Sequence, residues 1–285
     1  MTTGDDGAVP PRWFTASLST TPIAREYLEG ERALRRCIPL ELRFDLDRHD
    51  PVLTARARDW WLAMMCTEYE SSSVFVDMAM HMREIDDPLD VQGLVLRMAQ
   101  DELRHASVCA RVVESMGGEA RIPSPPLRRA ARHPDCSLEE STLRNVIYGC
   151  CLTEMVNVAR FVKRMEETGD PFVRDALRQL LADERLHAQF GFYYLELRRD
   201  WLGERPDVRR SLERYLRYSF AVLEREMGAI PAGARTPNDA ERAIGLPNLT
   251  DLSTTFQQTV LNASIPGLER LGIEAAVAWR DRGLR

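Results

Sequence analysis

Asp101-Glu102-Leu103-Arg104-His105 and Asp183-Glu184-Arg185-Leu186-His187 are two copies of one pattern, and each trails a further glutamate, Glu68 and Glu154, by about thirty residues. On a helix, Glu and His three apart share a face, so the repeat can deliver four carboxylates and two imidazoles to one point inside a helical bundle. A single Glu-x-x-His arises readily by chance in a chain with 44 acidic residues and 5 His. Two copies, each with Asp directly before the Glu and each with its upstream Glu, point instead to a two-metal site.

The neighbours at helical spacing sharpen this reading. Glu68 shares its stripe with Trp61, Met65, Phe75 and Ala79; Glu102 and His105 share theirs with Val95, Met98, Ala106 and Cys109. Glu154 lies among Ile147, Cys150, Cys151, Val158 and Phe161, and Glu184 and His187 lie among Leu177, Leu180, Leu181 and Ala188. Ionised carboxylates buried without partners cost many kcal/mol, so four of them converging in apolar surroundings call for compensating cations. Glu70 is turned by about 200° from Glu68 on a helix and is expected to be solvated.

The pattern extends outward into an all-α chain. Residues 1–21 read as a flexible lead, followed by a short helix near Ile23 to Arg36. Two long helices, roughly Val52 to Ile85 and Leu89 to Met116, are separated by Asp86-Asp87-Pro88 and closed by Gly117-Gly118. Pro123, Pro125, Pro126 and Pro134 force residues 119–136 into a crossover. A third helix starts at Ser137, whose Glu140 three residues on gives a capping-box signal, and runs to about Thr168. The fourth spans about Phe172 to Leu202. Residues 22–203 thus form one bundle domain with its leading helix, and 204–285 a C-terminal helical extension: Asp207 to Met227, a connector over 228–248, then Leu249 to Ile265 and Leu268 to Arg282, split at Pro266-Gly267.

Composition excludes several classes. The 285 residues carry a formal net charge of −6, which gives no pull toward nucleic acid or an anionic membrane. No run of eighteen apolar residues occurs, and the N-terminus lacks a signal-peptide pattern, so the expectation is a cytoplasmic protein. The six cysteines show no Cys-x-x-Cys spacing and read as buried thiols, with Cys109, Cys150 and Cys151 on the carboxylate-bearing stripes. Lys163, the only lysine, is expected in solvent, which removes Schiff-base chemistry.

On these residues the chain resembles the ferritin-like diiron carboxylate superfamily, a four-helix bundle in which each half gives one Glu and one Glu-x-x-His; here the bundle has extra N- and C-terminal helices. The resemblance covers about Val52 to Leu202. It implies that Glu68 and His105 hold one metal, Glu154 and His187 the other, and Glu102 and Glu184 bridge. It also implies that Asp101 and Asp183 accept hydrogen bonds from the ligand imidazoles; the alternative for both is an exposed acid paired with arginine. Flanks of roughly fifty and eighty residues resemble the oxygenase and oxidase branch, distantly the arylamine N-oxygenases, better than the shorter ferritins and rubrerythrins. The N-oxygenases add a metal-binding His one turn before the last Glu, where this chain has Leu180.

The implied cofactor is a pair of Fe ions, with Mn or a mixed Mn/Fe pair as alternatives. Two ferrous ions about 3.5–4 Å apart can reduce O2. The expected partners are O2, a small organic substrate and an external electron donor, with no nucleic acid and no membrane, and a homodimer is the expected assembly. Gly149 and Gly191 each cost a helix about 1 kcal/mol against Ala, which suggests a substrate pocket between Ser72, Phe75, Gly149, Cys150 and Gly191; close helix packing at the glycines is the alternative. The function expected is an O2-dependent diiron oxidoreductase that hydroxylates, N-oxygenates or desaturates a small organic or acyl substrate. A ferroxidase or iron-handling protein and a non-catalytic metal-binding helical module are the competing readings.

Overall fold

The computed structural model describes residues 13–15 and 42–283. The expected leading helix near Ile23 to Arg36 lies outside the described residues. The elements are β1 (Trp13–Thr15), α1 (Pro51–Glu84), α2 (Leu89–Ser115), β2 (Arg121–Pro123), α3 (Leu138–Val146), a π-helical segment (Ile147–Glu154), α4 (Met155–Glu167) and α5 (Pro171–Leu197). After them come α6 (Arg199–Gly203), α7 (Pro206–Glu226), α8 (Asp239–Ala243), α9 (Leu252–Thr259), a second π segment (Val260–Ser264), α10 (Ile265–Glu269) and α11 (Ala275–Arg280). Among the described residues the chain is all-α apart from one two-stranded pairing.

Local chemistry sets the helix starts. Asp50 accepts from the amides of Val52 and Leu53 at 2.8 and 3.0 Å with Pro51 as the first helical residue, and Asp170 does the same for Phe172 and Val173 at 2.9 and 3.0 Å behind Pro171. Ser137 caps α3 by accepting from the Glu140 amide. The capping box read from the sequence is not completed, because the Glu140 carboxylate binds Arg144 at 2.7 Å instead. Between α1 and α2, Asp86 takes φ 56° while Asp87 turns inward, accepting from the Tyr194 hydroxyl at 2.8 Å and from Arg198. That contact ties the first hairpin to α5.

The crossover runs over the outside of the bundle. Ser73 donates to the Arg128 carbonyl at 2.8 Å, while Ser141 and Asn145 both donate to the Ala131 carbonyl at 3.0 and 2.8 Å. Two departures from the sequence reading occur at the chain's edges. Trp13–Thr15 pairs antiparallel with Arg121–Pro123, so the expected flexible lead is held at that point, and the Arg121 guanidinium lies 4.4 Å from the Trp13 ring centroid. The break expected at Pro266-Gly267 is absent: α9, the second π segment and α10 run on without interruption from Leu252 through Pro266 to Glu269. The chain turns later, at Gly272, with φ 76°.

The bundle comprises α1, α2, the α3–π–α4 rod and α5, arranged as hairpin, crossover, hairpin. Its apolar core falls into two clusters. One holds Phe75, Met78, Met98, Cys150, Cys151 and Phe190 and continues into α7 and the C-terminal helices; the other holds Trp61, Met65, Cys109, Phe161, Phe172 and Leu180. On each rod, apolar residues a turn or two before the Glu or Glu-x-x-His and a turn or two after it belong to different clusters, as Cys150 and Phe161 do around Glu154. A polar layer therefore cuts an otherwise continuous core, and it is the layer of the sequence motif. Among the described residues no helix is long and apolar enough to cross a membrane.

Candidate metal centre

Glu68 from α1, Glu102 and His105 from α2, Glu154 from the π segment, and Glu184 and His187 from α5 are all buried, none more than 8% exposed. They form two groups that share Glu102 and Glu184: Glu68, Glu102, His105 and Glu184, and Glu102, Glu154, Glu184 and His187. Within each group, one potential ligand atom per residue lies within 4.8 Å of all the others. The structure thus brings all six residues predicted from the sequence together.

Distances within the cluster fix which atoms face inward. His105 Nδ1 is 3.2 Å from Glu184 and 3.5 Å from Glu68, and His187 Nδ1 is 3.1 Å from Glu102 and 3.6 Å from Glu184. The opposite ring nitrogens face the aspartates of the other half of the repeat: His105 Nε2 lies 3.3 Å from Asp183, and His187 Nε2 lies 3.6 Å from Asp101. Asp101 and Asp183 are bridged by Arg104, itself buried, which pairs with Asp183 and lies 3.7 Å from Asp101. Asp183 thus contacts both the His105 imidazole and Arg104, while Asp101 is buried rather than the exposed acid of the alternative reading. Phe75 lies 5.4 Å from the His187 ring, centroid to centroid, on the side of the other core cluster.

The electrostatics describe a site short of positive charge. Burial pushes the Glu102 carboxyl well above the ordinary value, with the Glu184 and Glu68 charges adding to the rise and His187 opposing it. Burial, then the charges of Glu184 and Glu102, do the same to Glu154. Burial acts on Glu184 in the same sense, but the two imidazoles beside it outweigh it and hold this acid low. Burial would lower both histidines; the carboxylates around them overcome it and raise both. Glu102 Oε1, Glu184 Oε2 and both Nδ1 atoms are buried with no hydrogen-bond partner. Two divalent cations among these atoms would satisfy their unused lone pairs and neutralise the acids, and a mixed imidazole and carboxylate set suits iron or manganese. The residues fit a diiron centre.

The π segment had no counterpart in the sequence reading. Its widened turn carries Glu154 inward, with Thr153 donating to the Tyr148 carbonyl five residues back at 2.9 Å and Ser264 donating to the Cys151 carbonyl at 2.8 Å. Asn157, one turn after Glu154, donates to its Oε2 at 3.1 Å. Arg104, Asn157 and Ser264 were all missed. A polar residue on an apolar stripe was the available signal for Asn157; none existed for Ser264, which is about a hundred residues from its partner.

The pocket expected around the glycines is not where the open space lies. A Cβ at Gly191 would meet Cys151 Sγ at 2.5 Å and Cys150 Cβ at 2.8 Å, so this glycine serves close packing; Gly149 has nothing within 4 Å of its own Cβ position. Ser72 donates to the Tyr69 carbonyl and borders a surface cleft beside the crossover. A cavity of about 370 Å³ instead adjoins Glu68, between α1, α4 and residues 247–255. Lys163, expected in solvent, pairs with Asp251 at this cavity. Glu70, expected to be solvated, is only 14% exposed and pairs with Arg128 at 2.7 Å. Among the described residues, Cys66, Cys109, Cys136, Cys150 and Cys151 are free thiols.

Four long helical rods carrying this repeated carboxylate and imidazole set define a ferritin-like diiron carboxylate domain. Residues 65–191 match the Rubrerythrin family model, a family whose domains bind diiron centres and are of oxidoreductase type. The match spans every predicted ligand and stops before the C-terminal helices. No curated protein and no solved structure matches the chain.

Proposed function

We propose that Glu68 and His105 hold one iron ion, Glu154 and His187 a second, that Glu102 and Glu184 bridge them, and that the protein is an O2-dependent oxidoreductase acting on a small organic substrate. The observation that carries this reading is the pair of overlapping clusters with their orphaned, buried ligand atoms. A ferrous pair there would supply electrons to O2. Hydroxylation, N-oxygenation and desaturation are the reactions such a centre serves, with an external donor returning the electrons. Extra helices that enclose a cavity against Glu68 favour an organic substrate over the ferroxidase reading.

The chain's own residues set the conditions. Asp183 accepts from the Nε2–H of His105 at 3.3 Å and Asp101 stands 3.6 Å from Nε2 of His187, which leaves the Nδ1 lone pairs directed at the cluster and makes the imidazoles more basic. Arg104 holds both aspartates in place. Asn157 orients Glu154, and the two apolar clusters above and below keep bulk water from the layer.

Anaerobic titration with ferrous iron, metal analysis and oxygen uptake test the proposal. Two irons per chain and rapid O2 consumption are expected. A protein that binds no iron, or binds it and stays inert to oxygen, would overturn it, and a cage-sized assembly that mineralises iron would favour the ferroxidase reading.

A further inference from the structure

We propose that the cavity beside Glu68 is a binding site for a small organic acid with an apolar body, and that Arg164 receives its carboxylate. This rests on the reading of Glu68 as an iron ligand only for the orientation of the substrate. Asn157, Arg160 and Arg164 follow one another at helical spacing along α4, so one face of that helix presents them all to the cavity. At the inner wall stand Glu68 and Asn157, the residue that holds Glu154.

Arg164 is only 7% exposed. Its Nε donates to the Gly245 carbonyl, Nη1 lies 3.5 Å from Met64 Sδ, and the guanidinium stacks on Trp60 at 3.3 Å and faces Trp61 at 4.9 Å from the ring centroids. Nη2 is buried with no partner, and among the described residues no carboxylate lies within ion-pair distance of the group. Burial alone drives its pKa well below the ordinary value. A guanidinium keeps its proton in proteins, and aromatic faces attract such a cation without neutralising it. An unpaired buried cation is costly, and an anionic ligand is what relieves it.

Apart from the carboxylates of Glu68 and Glu167, the charges that line the cavity leave room for that anion. Lys163 and Asp251 neutralise each other, while Arg160 binds the Met227 carbonyl and keeps a buried Nε without a partner. The rest of the wall is mostly apolar and includes Trp60, Met64, Phe161, Leu249 and Leu252. At about 370 Å³ the cavity falls in the range of small-ligand sites, roughly 300–1,000 Å³. A carboxylate at Arg164 would leave the apolar body running toward Glu68 and Asn157, the metal-facing end.

Calorimetric titration of the full chain, as isolated and after chelation of its metal, with benzoate, benzamide and inorganic phosphate tests the proposal. Benzoate is expected to bind about tenfold or more tightly than benzamide in both forms. Arg164→Met should remove that preference while leaving benzamide binding in place, and Arg164→Lys should keep part of it. Equal binding of benzoate and benzamide by the unaltered protein, or an undiminished preference in Arg164→Met, overturns the proposal. Phosphate binding as tight as benzoate also overturns it, since an apolar body would then contribute nothing. Leu252→Trp fills the cavity without touching Arg164 and should abolish benzoate binding, which keeps the test decisive if Arg164→Met does not fold. Iron content separates the two readings: two irons per chain without benzoate preference overturns the cavity assignment alone, and benzoate preference without iron overturns the proposed function alone.

Discussion

Gly149 and Gly191 look equivalent in the sequence, each on or near a ligand-bearing helical face, yet replacing them with alanine should move stability in opposite directions. Alanine gains about 0.5–1 kcal/mol over glycine in a helix, from propensity and from a less free unfolded chain. At Gly149 nothing lies within 4 Å of the new methyl, so the gain should appear nearly in full. At Gly191 the methyl would stand 2.5 Å from Cys151 Sγ, 2.8 Å from Cys150 Cβ and 3.0 Å from the Cys151 backbone nitrogen, all on the two fully buried cysteines of the π segment. Overpacking of this kind costs about 1–3 kcal/mol, which exceeds the propensity gain. The two variants should therefore differ by about 2 kcal/mol, or about 4 °C or more in melting temperature. Urea and thermal unfolding of both, followed by circular dichroism, measure this. Because Cys151 is one turn before Glu154, Gly191→Ala should also weaken iron retention. Equal stability of the two variants, or a more stable Gly191→Ala, would refute the packing argument.

Four further outcomes are expected. Glu102→Gln should reduce iron per chain below two and remove the rise in melting temperature that iron loading gives the unaltered protein, a rise that follows from binding to the native state alone; differential scanning fluorimetry with and without iron checks both. Tyr194→Phe removes the hydroxyl donor to buried Asp87, a cost of about 1–3 kcal/mol in a denaturant titration. Ser264→Ala removes the hydroxyl donor to the Cys151 carbonyl and should cost about 1–2 kcal/mol in the same measurement. Glu241 is held down to about 2 by Arg235, with its own burial opposing and Asn238 and Arg56 assisting. Its folded pKa is depressed, so its contribution is present above about pH 4.3, the ordinary glutamate value, and is lost as pH falls toward 2. The stability difference between the unaltered protein and Glu241→Gln should shrink over that window.

The fold and the candidate centre were legible wherever the determinant was local or periodic. Apolar stripes, Asp50-Pro51 and Asp170-Pro171 at helix starts, and the proline-rich crossover set the bundle, while the doubled Asp-Glu-x-x-His with its upstream Glu picked out six residues that meet in space. What escaped depends on contacts distant in sequence. The π segment around Gly149 packs Cys151 against Ser264 and Gly191 across the bundle. The cavity forms only when residues 247–255 fold over α4, so neither its position nor the isolation of Arg164 is written in any one helix. Pro266 reads as a breaker, but the helical run continues through it to Glu269.

The most direct test of the account is an anomalous-scattering map collected at the iron absorption edge from crystals of the iron-loaded protein. Two peaks are expected, one beside Glu68 and His105 and one beside Glu154 and His187, with Glu102 and Glu184 reaching both. A single peak, no peak, or iron bound outside this layer would contradict it.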